Sequence, residues 1–393
     1  MKILLGGVPL GCDNIGDEAI LACVVGLLRR IRPDAALSVC TNDPENTARL
    51  LGVKTLPLYG FTKDPDWRGF ASAVREFDVY LWFGATGLSD YPENAVKLLD
   101  LARRAGVKTI VWGVGMNSEL NPAFYRAAGN RLKLLNLMTK CSLGLIDFTA
   151  FYEKILCRRV RDHIRRSLED CSLVVLRDAE SVREVEKCGF RHAVTGADTA
   201  ILQTGAGTPP LEEAPGQVRI GFCISAQNAV RSLDGVKKLW ASLLERPHFR
   251  LVLIPMNPKT DRKLMLDLAA GMEHPERIEC LESDSPAAVQ ACAAQCRVVV
   301  SSRLHLLILA SNAGTPGLGI ERGSKIANWL KAFGRTSSGS VENCDFAALE
   351  RQILELAGRP PETVRSEILQ VMQAMHARLE RTAELLGQAL QEK

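Results

Sequence analysis

Arg303 and His305 stand two residues apart in Ser301-Ser302-Arg303-Leu304-His305, where an apolar run at 297–301 gives way to a helical pattern at 304–311. A buried strand that ends at a helix start aims unpaired N–H groups and the positive end of the helix dipole at one place. Arg303 adds a charge whose fork geometry suits carboxylate and phosphate. His305 can exchange a proton near neutrality, since free imidazole titrates near ~6.5. Lys325, beyond the apolar run at 317–320, supplies a third positive charge at another strand end. The plain alternatives are a packed structural histidine and a solvated lysine.

A second group lies near the N-terminus, in Gly11-Cys12-Asp13-Asn14-Ile15-Gly16-Asp17-Glu18. Glycines let a backbone approach a ligand, and the helix start that follows favours an anion. Asn14 could hydrogen-bond a phosphate or a sugar, and Asp17 could cap the helix or exchange protons. The loop is neither a phosphate-binding Gly-Lys-Ser/Thr loop nor a full dinucleotide fingerprint. Two further glycine groups, Gly84-Ala85-Thr86-Gly87 and Gly113-Val114-Gly115-Met116-Asn117, follow apolar runs. Tight turns explain them as well as ligand approach does. Arg177-Asp178 closes the run at 173–176, where an arginine at a strand's carboxyl end is a good anion ligand and a surface ion pair is the bland reading.

The elements that position these residues alternate. Strands are expected at 3–5, 36–41, 79–83, 108–112, 173–176 and 192–195, with helices at 17–31, 93–105 and 179–188 between them. Residues 206–217 carry Gly207, Pro209, Pro210, Pro215 and Gly216 with no apolar period, and read as a linker. The pattern restarts with strands at 218–225, 250–255, 297–301 and 317–320. The expected architecture is α/β: two Rossmann-like domains facing a cleft, 1–205 and 218–345, then C-terminal helices over 346–393 that pack back on the body. Val364, Ile368, Val371, Met375, Leu379 and Leu386 put an amphipathic helix in that last segment. Residues 126–170 read as a helical insertion in the first domain, its second half carrying Arg158, Arg159, Arg161, Arg165 and Arg166. A solvated helix face accounts for these arginines. Contact with an anionic membrane surface or a lipid diphosphate is the functional alternative.

The 393 residues exceed one ordinary domain, and a net charge of only +4 gives no basic field for nucleic acid. Any affinity for anions must be local. Twelve scattered cysteines, several inside apolar runs, read as buried free thiols of a cytoplasmic, reducing compartment. No zinc pattern accompanies them, so no metal is expected. The first apolar run is too short for a signal peptide, and no run of apolar residues is long enough to span a bilayer.

In order and spacing, these groups resemble the polysaccharide pyruvyl transferase family. The matching pieces are Asn14-Ile15-Gly16-Asp17-Glu18, Gly113-Val114-Gly115, Arg177-Asp178 with Ser181, Arg303-Leu304-His305, and the stretch from Ala313-Gly314-Thr315-Pro316 to Lys325. The resemblance implies a glycosyltransferase-B-like fold. It also implies transfer of a pyruvyl group from phosphoenolpyruvate to the hydroxyls of a cell-surface polysaccharide precursor, soluble or lipid-linked at the inner face of the membrane, giving a pyruvate ketal. Phosphoenolpyruvate is then a co-substrate, and no cofactor is needed. Arg177, Arg303 and His305 are implied at the phosphoenolpyruvate site and Lys325 near it, and in a mechanism built on that site His305 is the candidate general acid. Asp17 is the candidate base, and Asn14, Gly16 and Gly115 line the substrates. The chain departs from the family in Phe83-Gly84-Ala85-Thr86-Gly87, where a run of glycines is usual, and in Arg322-Gly323-Ser324-Lys325, where an aromatic-Asp-Pro-Lys stretch is usual. Two rival readings are a nucleotide-sugar glycosyltransferase of the same fold and a non-catalytic anion-binding protein.

Overall fold

The computed structural model describes residues 1–205 and 216–391. Most of the linker expected at 206–217 lies outside the described residues. The chain forms two compact units. The first takes in Met1–Pro9, Asp34–Gly196 and the end of the chain from Leu385, and the second takes in Leu10–Pro33 and Ala197–Glu384.

The first unit is built on β1 (Lys2–Gly6), β2 (Ala36–Thr41), β3 (Lys54–Pro57), β4 (Val79–Phe83), β5 (Lys108–Val114), β6 (Leu173–Leu176) and β7 (Val194–Thr195). They form one sheet in the order β3-β2-β1-β4-β5-β6-β7, with every neighbouring pair parallel. The central strands are buried on both faces, and β4, Val-Tyr-Leu-Trp-Phe, is buried throughout. Such strands read as unbroken apolar runs because helices cover both sides.

The second unit holds β8 (Val218–Cys223), β9 (Phe249–Leu253), β10 (Ile278–Cys280), β11 (Val298–Ser301) and β12 (Gly317–Gly319), all parallel, in the order β10-β9-β8-β11-β12. One face packs Ile220, Phe222, Trp240, Leu251 and Val298 against Leu349 and Ile353 of the helix Phe346–Gly358. The last helix, Pro361–Ala389, buries Val364, Ile368, Met372, Leu379, Ala383 and Leu386, a spacing of three, four or multiples of these that puts them along one stripe. Strand order reverses between β8 and β11, and ligands of open parallel sheets bind outside the carboxyl ends at such a reversal. Arg303 and His305 follow β11 directly.

One departure from the contiguous domains read from the sequence bears on function. The helix α1 (Ile15–Ile31) follows β1 in the chain but packs in the second unit. Its first residue donates its N–H to the Met256 carbonyl at 3.0 Å. Its apolar residues Ile20, Leu21, Val24 and Val25 are buried, and the helix contacts Leu304–Asn312, Pro286–Ala294 and the 3-10 turn Thr199–Leu202. Adjacency in sequence pointed to the first domain, and burial of an apolar face assigns it to the second.

Candidate functional site

The carboxyl end of β11 builds the second unit's polar centre. Ser301 Oγ accepts from the Arg303 N–H at 2.9 Å and donates to the Arg303 carbonyl at 2.7 Å, turning the chain sharply into the helix Leu304–Asn312. Arg303 is the N-cap of that helix and has no side-chain cap bond of its own, so its guanidinium is directed elsewhere. It grips Asp261 with two bonds, Nε to Oδ2 and Nη2 to Oδ1, both 2.9 Å. Asp261 is wholly buried and also accepts from the Ala226 N–H at 2.9 Å and the Asn257 N–H at 3.0 Å. A buried carboxylate with four donors is fully compensated. Burial would lower the Arg303 pKa, but the bonds from Asp261 outweigh it and hold the guanidinium more firmly charged than usual. Two of its nitrogens are taken by Asp261, and Nη1 makes no hydrogen bond among the described residues.

His305 lies in the first turn of the same helix, against the first turn of α1. A Cβ placed on Gly16 would fall 2.2 Å from His305 Nδ1, so only glycine fits there. Gly16 thus acts by close approach, its N–H donating to Asn14 Oδ1 at 3.2 Å. His305 Nε2 is buried, makes no hydrogen bond among the described residues, and lies 3.6 Å from Asp198 Oδ2, beyond hydrogen-bond range. Asp198 caps the turn Thr199–Leu202 through Oδ1.

Asn14, rather than Asp17, caps α1. Its amide also donates to Asp17 Oδ2 at 2.6 Å. Asp17 is buried, and that burial raises its pKa, against the pull of His305, Asn14, Lys325 and Arg303. A raised carboxyl is a stronger base than an ordinary one. Lys325, in the first turn of the helix Ser324–Ala332, is near enough to act on Asp17. Three helix starts, at Ile15, Leu304 and Ser324, therefore converge, each bringing the positive end of its dipole. Cys223, beside this cluster, is no nucleophile: burial pushes its thiol up to about 12.

The remaining sequence-read residues belong to the first unit. Arg177 follows β6 and is buried, with Nε donating to Asp178 Oδ2 at 3.2 Å. Its guanidinium lies on Gly115, where a Cβ would meet Nη2 at 2.6 Å and Thr86 Cγ2 at 3.1 Å. Gly115 donates its N–H to the Ala85 carbonyl at 2.7 Å, and Ala85 sits in the left-handed region at φ 54°. The two glycine groups are thus parts of one structure. Asp178 caps the helix Ala179–Glu186, and Ser181 Oγ accepts from the Met116 N–H at 2.9 Å. Asn117 donates to Asp90 at 3.0 Å. The structure brings together Asn14, Gly16, Asp17, Arg303, His305 and Lys325 in one unit, and Gly115 with Arg177 in the other.

The sequence profile described as polysaccharide pyruvyl transferase matches residues 14–141 and 155–324. The chain belongs to this family. Membership makes it a transferase of polysaccharide modification. The matched stretches hold every residue of both clusters except Lys325, one position past the end. No curated protein matches the chain in sequence. Among solved structures, it is similar to the glycotransferase of kitacinnamycin (14% identity, 99% of this chain and 98% of that one, TM-score 0.61). It is similar to a putative UDP-N-acetylglucosamine 2-epimerase from Listeria monocytogenes (13%, 94% and 90%, 0.60). It also resembles the spinosyn rhamnosyltransferase SpnG (16%, 98% and 99%, 0.56). At these identities the likeness is one of fold, the two parallel-sheet α/β domains of GT-B glycosyltransferases and epimerases. Among the described residues, no helix is long and apolar enough to cross a membrane.

Sequence reading missed Asp198 and Asp261. Asp198 had a signal, since it follows the strand end at Thr195 in Gly196-Ala197-Asp198-Thr199. Asp261 had none: it opens an ordinary amphipathic helix, Thr260–Ala269, and only the fold brings it to Arg303.

Proposed function

We propose that the second unit's cluster binds phosphoenolpyruvate and that the protein transfers its pyruvyl group to two hydroxyls of a polysaccharide precursor. The observation that carries this is the convergence of three helix starts on Arg303, His305 and Lys325. Phosphoenolpyruvate bears a carboxylate and a phosphate, so a single cation would compensate it poorly. Arg303 Nη1 and Lys325 face the anionic oxygens, aided by the helix dipoles. His305 delivers a proton to the methylene carbon, and C2 becomes oxocarbenium-like. The first acceptor hydroxyl adds to C2 and gives up its proton to Asp17, the base. The bond from C2 to the phosphate oxygen breaks, and phosphate leaves with its electron pair. The second hydroxyl closes the ketal, and its proton neutralises the departing phosphate. Arg177, buried on Gly115, is an anion ligand of the first unit. The acceptor is a saccharide, soluble or lipid-linked, met in the cytoplasm.

The fold likeness to nucleotide-sugar enzymes favours one rival, a glycosyltransferase. Ligand-induced thermal stabilisation separates the two, because a ligand that binds only the folded chain stabilises it by RT ln(1 + [L]/Kd). Phosphoenolpyruvate should raise the melting temperature and UDP should not. The reverse result establishes the rival.

A further inference from the structure

We propose that the helical hairpin of Gly129–Cys141 and Phe148–Glu169 seats the protein on an anionic phospholipid surface. Seven of the eleven exposed large apolar side chains among the described residues fall between 134 and 151: Leu134, Leu137, Met138, Leu143, Leu145, Ile146 and Phe151. Leu143 and Leu145, at the tip, are 90% and 86% exposed. An apolar patch this concentrated marks an interaction surface rather than scatter.

The hairpin is anchored at one end only. Val160, Ile164 and Leu168 are buried, and Asp100 of the helix Pro92–Arg104 accepts from Ser167 at 2.7 Å and pairs with His163 at 2.9 Å. Burial and the bonds from His163 and Ser167 act oppositely on Asp100, and the bonds win, holding its carboxyl below the usual range. Toward the tip, Gly129–Cys141 buries Leu135 alone. The turn is nevertheless tightly built. Leu143 sits at φ 54° and donates its N–H to the Lys140 carbonyl at 2.9 Å, Gly144 donates to the Thr139 carbonyl at 3.0 Å, and Thr139 Oγ1 accepts from the Phe148 N–H at 3.1 Å. The bonded turn thus holds leucines in water, one of them in the left-handed region that favours glycine.

Charge selects the occupant. Residues 126–161 carry eight basic side chains, Arg126, Arg131, Lys133, Lys140, Lys154, Arg158, Arg159 and Arg161, against the acids Asp147 and Glu153. The rest of the chain holds slightly more acid than base. Lys133, Lys140 and Lys154 are exposed in the same stretch of chain as the apolar residues, and Arg158 and Arg159 are exposed further along the second helix. Exposed apolar side chains interspersed with exposed lysines fit an interface of acyl chains beneath anionic headgroups, with the long basic stems reaching up to the phosphates. The family match is interrupted here, leaving 142–154 between its two stretches.

Co-sedimentation with vesicles tests this. The wild-type chain should bind equimolar phosphatidylcholine–phosphatidylglycerol vesicles at least about tenfold more tightly than phosphatidylcholine alone. Leu143→Asp with Leu145→Asp should weaken that binding at least about tenfold, and Lys133→Glu with Lys140→Glu should weaken it and flatten its salt dependence. Both pairs are exposed, so melting temperature and any shift with phosphoenolpyruvate should stay at wild-type values. Equal partition of the wild type onto both vesicles, or unchanged binding by the leucine variant, overturns the proposal. So does a lipid-free dimer, seen by sedimentation velocity, that the leucine variant abolishes while vesicles bind neither form; the patch would then join two copies. The readout needs no pyruvyl chemistry, so this proposal and the functional one fail separately.

Discussion

A Cβ at Gly16 would fall 2.2 Å from His305 Nδ1, and one at Gly115 would fall 2.6 Å from Arg177 Nη2. In both units a basic side chain following a parallel strand lies on a glycine contributed by another element. The surroundings differ. His305 shares its neighbourhood with Asp17 and Asp198, and Arg303 beside it is locked to the buried Asp261. Arg177 pairs with the half-buried carboxylate of Asp178 and lies against Gly115 and Thr86. On the proposed function, the same local arrangement serves a proton-exchanging centre in the second unit and an anion ligand in the first. The acids of the second unit, Asp17, Asp198 and Asp261, come from positions distant in sequence from Arg303 and His305.

The largest effect should come from His305→Ala. If His305 is the acid, turnover with phosphoenolpyruvate falls about a hundred- to ten-thousand-fold, as loss of a positioned acid does. Arg177→Met should instead weaken binding of an anionic substrate and leave the pH profile of turnover in place. An Arg177 variant that changes the profile would erase the distinction between the units.

Asp261→Ala comes next. It strands the Arg303 charge in the interior, and chemical denaturation should show a loss of about 3–5 kcal/mol. A loss below about 1 kcal/mol would mean the pair is solvated, as surface pairs are. Gly115→Ala and Gly16→Ala should each cost about 1–3 kcal/mol by overpacking. Gly16 lies in a helix, where alanine is otherwise better by about 1 kcal/mol, so any net loss there reports the clash with His305.

The smallest effect concerns Asp17. Burial raises its pKa above the ordinary 3.8, so the folded chain holds this proton more tightly than the unfolded chain does. Its contribution to stability is fully present below 3.8 and is lost as pH rises through the raised value. Melting temperatures followed across the carboxylate range should show the wild type losing stability relative to Asp17→Asn as pH rises. Parallel curves would remove the argument for Asp17 as an unusually strong base.

Much of the scaffold was readable because buried parallel strands are apolar runs: residues 36–41, 79–83 and 173–176 are strands at the expected bounds. The edge strands β3, Lys-Thr-Leu-Pro, and β10, Ile-Glu-Cys, were not, since an edge needs no apolar run. The basic members of the site were legible from their places at strand ends. Asp261 was not, because a carboxylate that compensates a distant arginine leaves no local pattern. The arginines of 126–170 drew attention to that segment, but the apolar tip became significant only once its exposure was known.

Phosphate release from phosphoenolpyruvate, measured against a panel of soluble and lipid-linked saccharides, tests the central claim most directly. Release should require both phosphoenolpyruvate and one acceptor class, be lost in His305→Ala, and yield a ketal on that acceptor. Undiminished release by His305→Ala, or tight binding of phosphoenolpyruvate with no release on any saccharide, would contradict it.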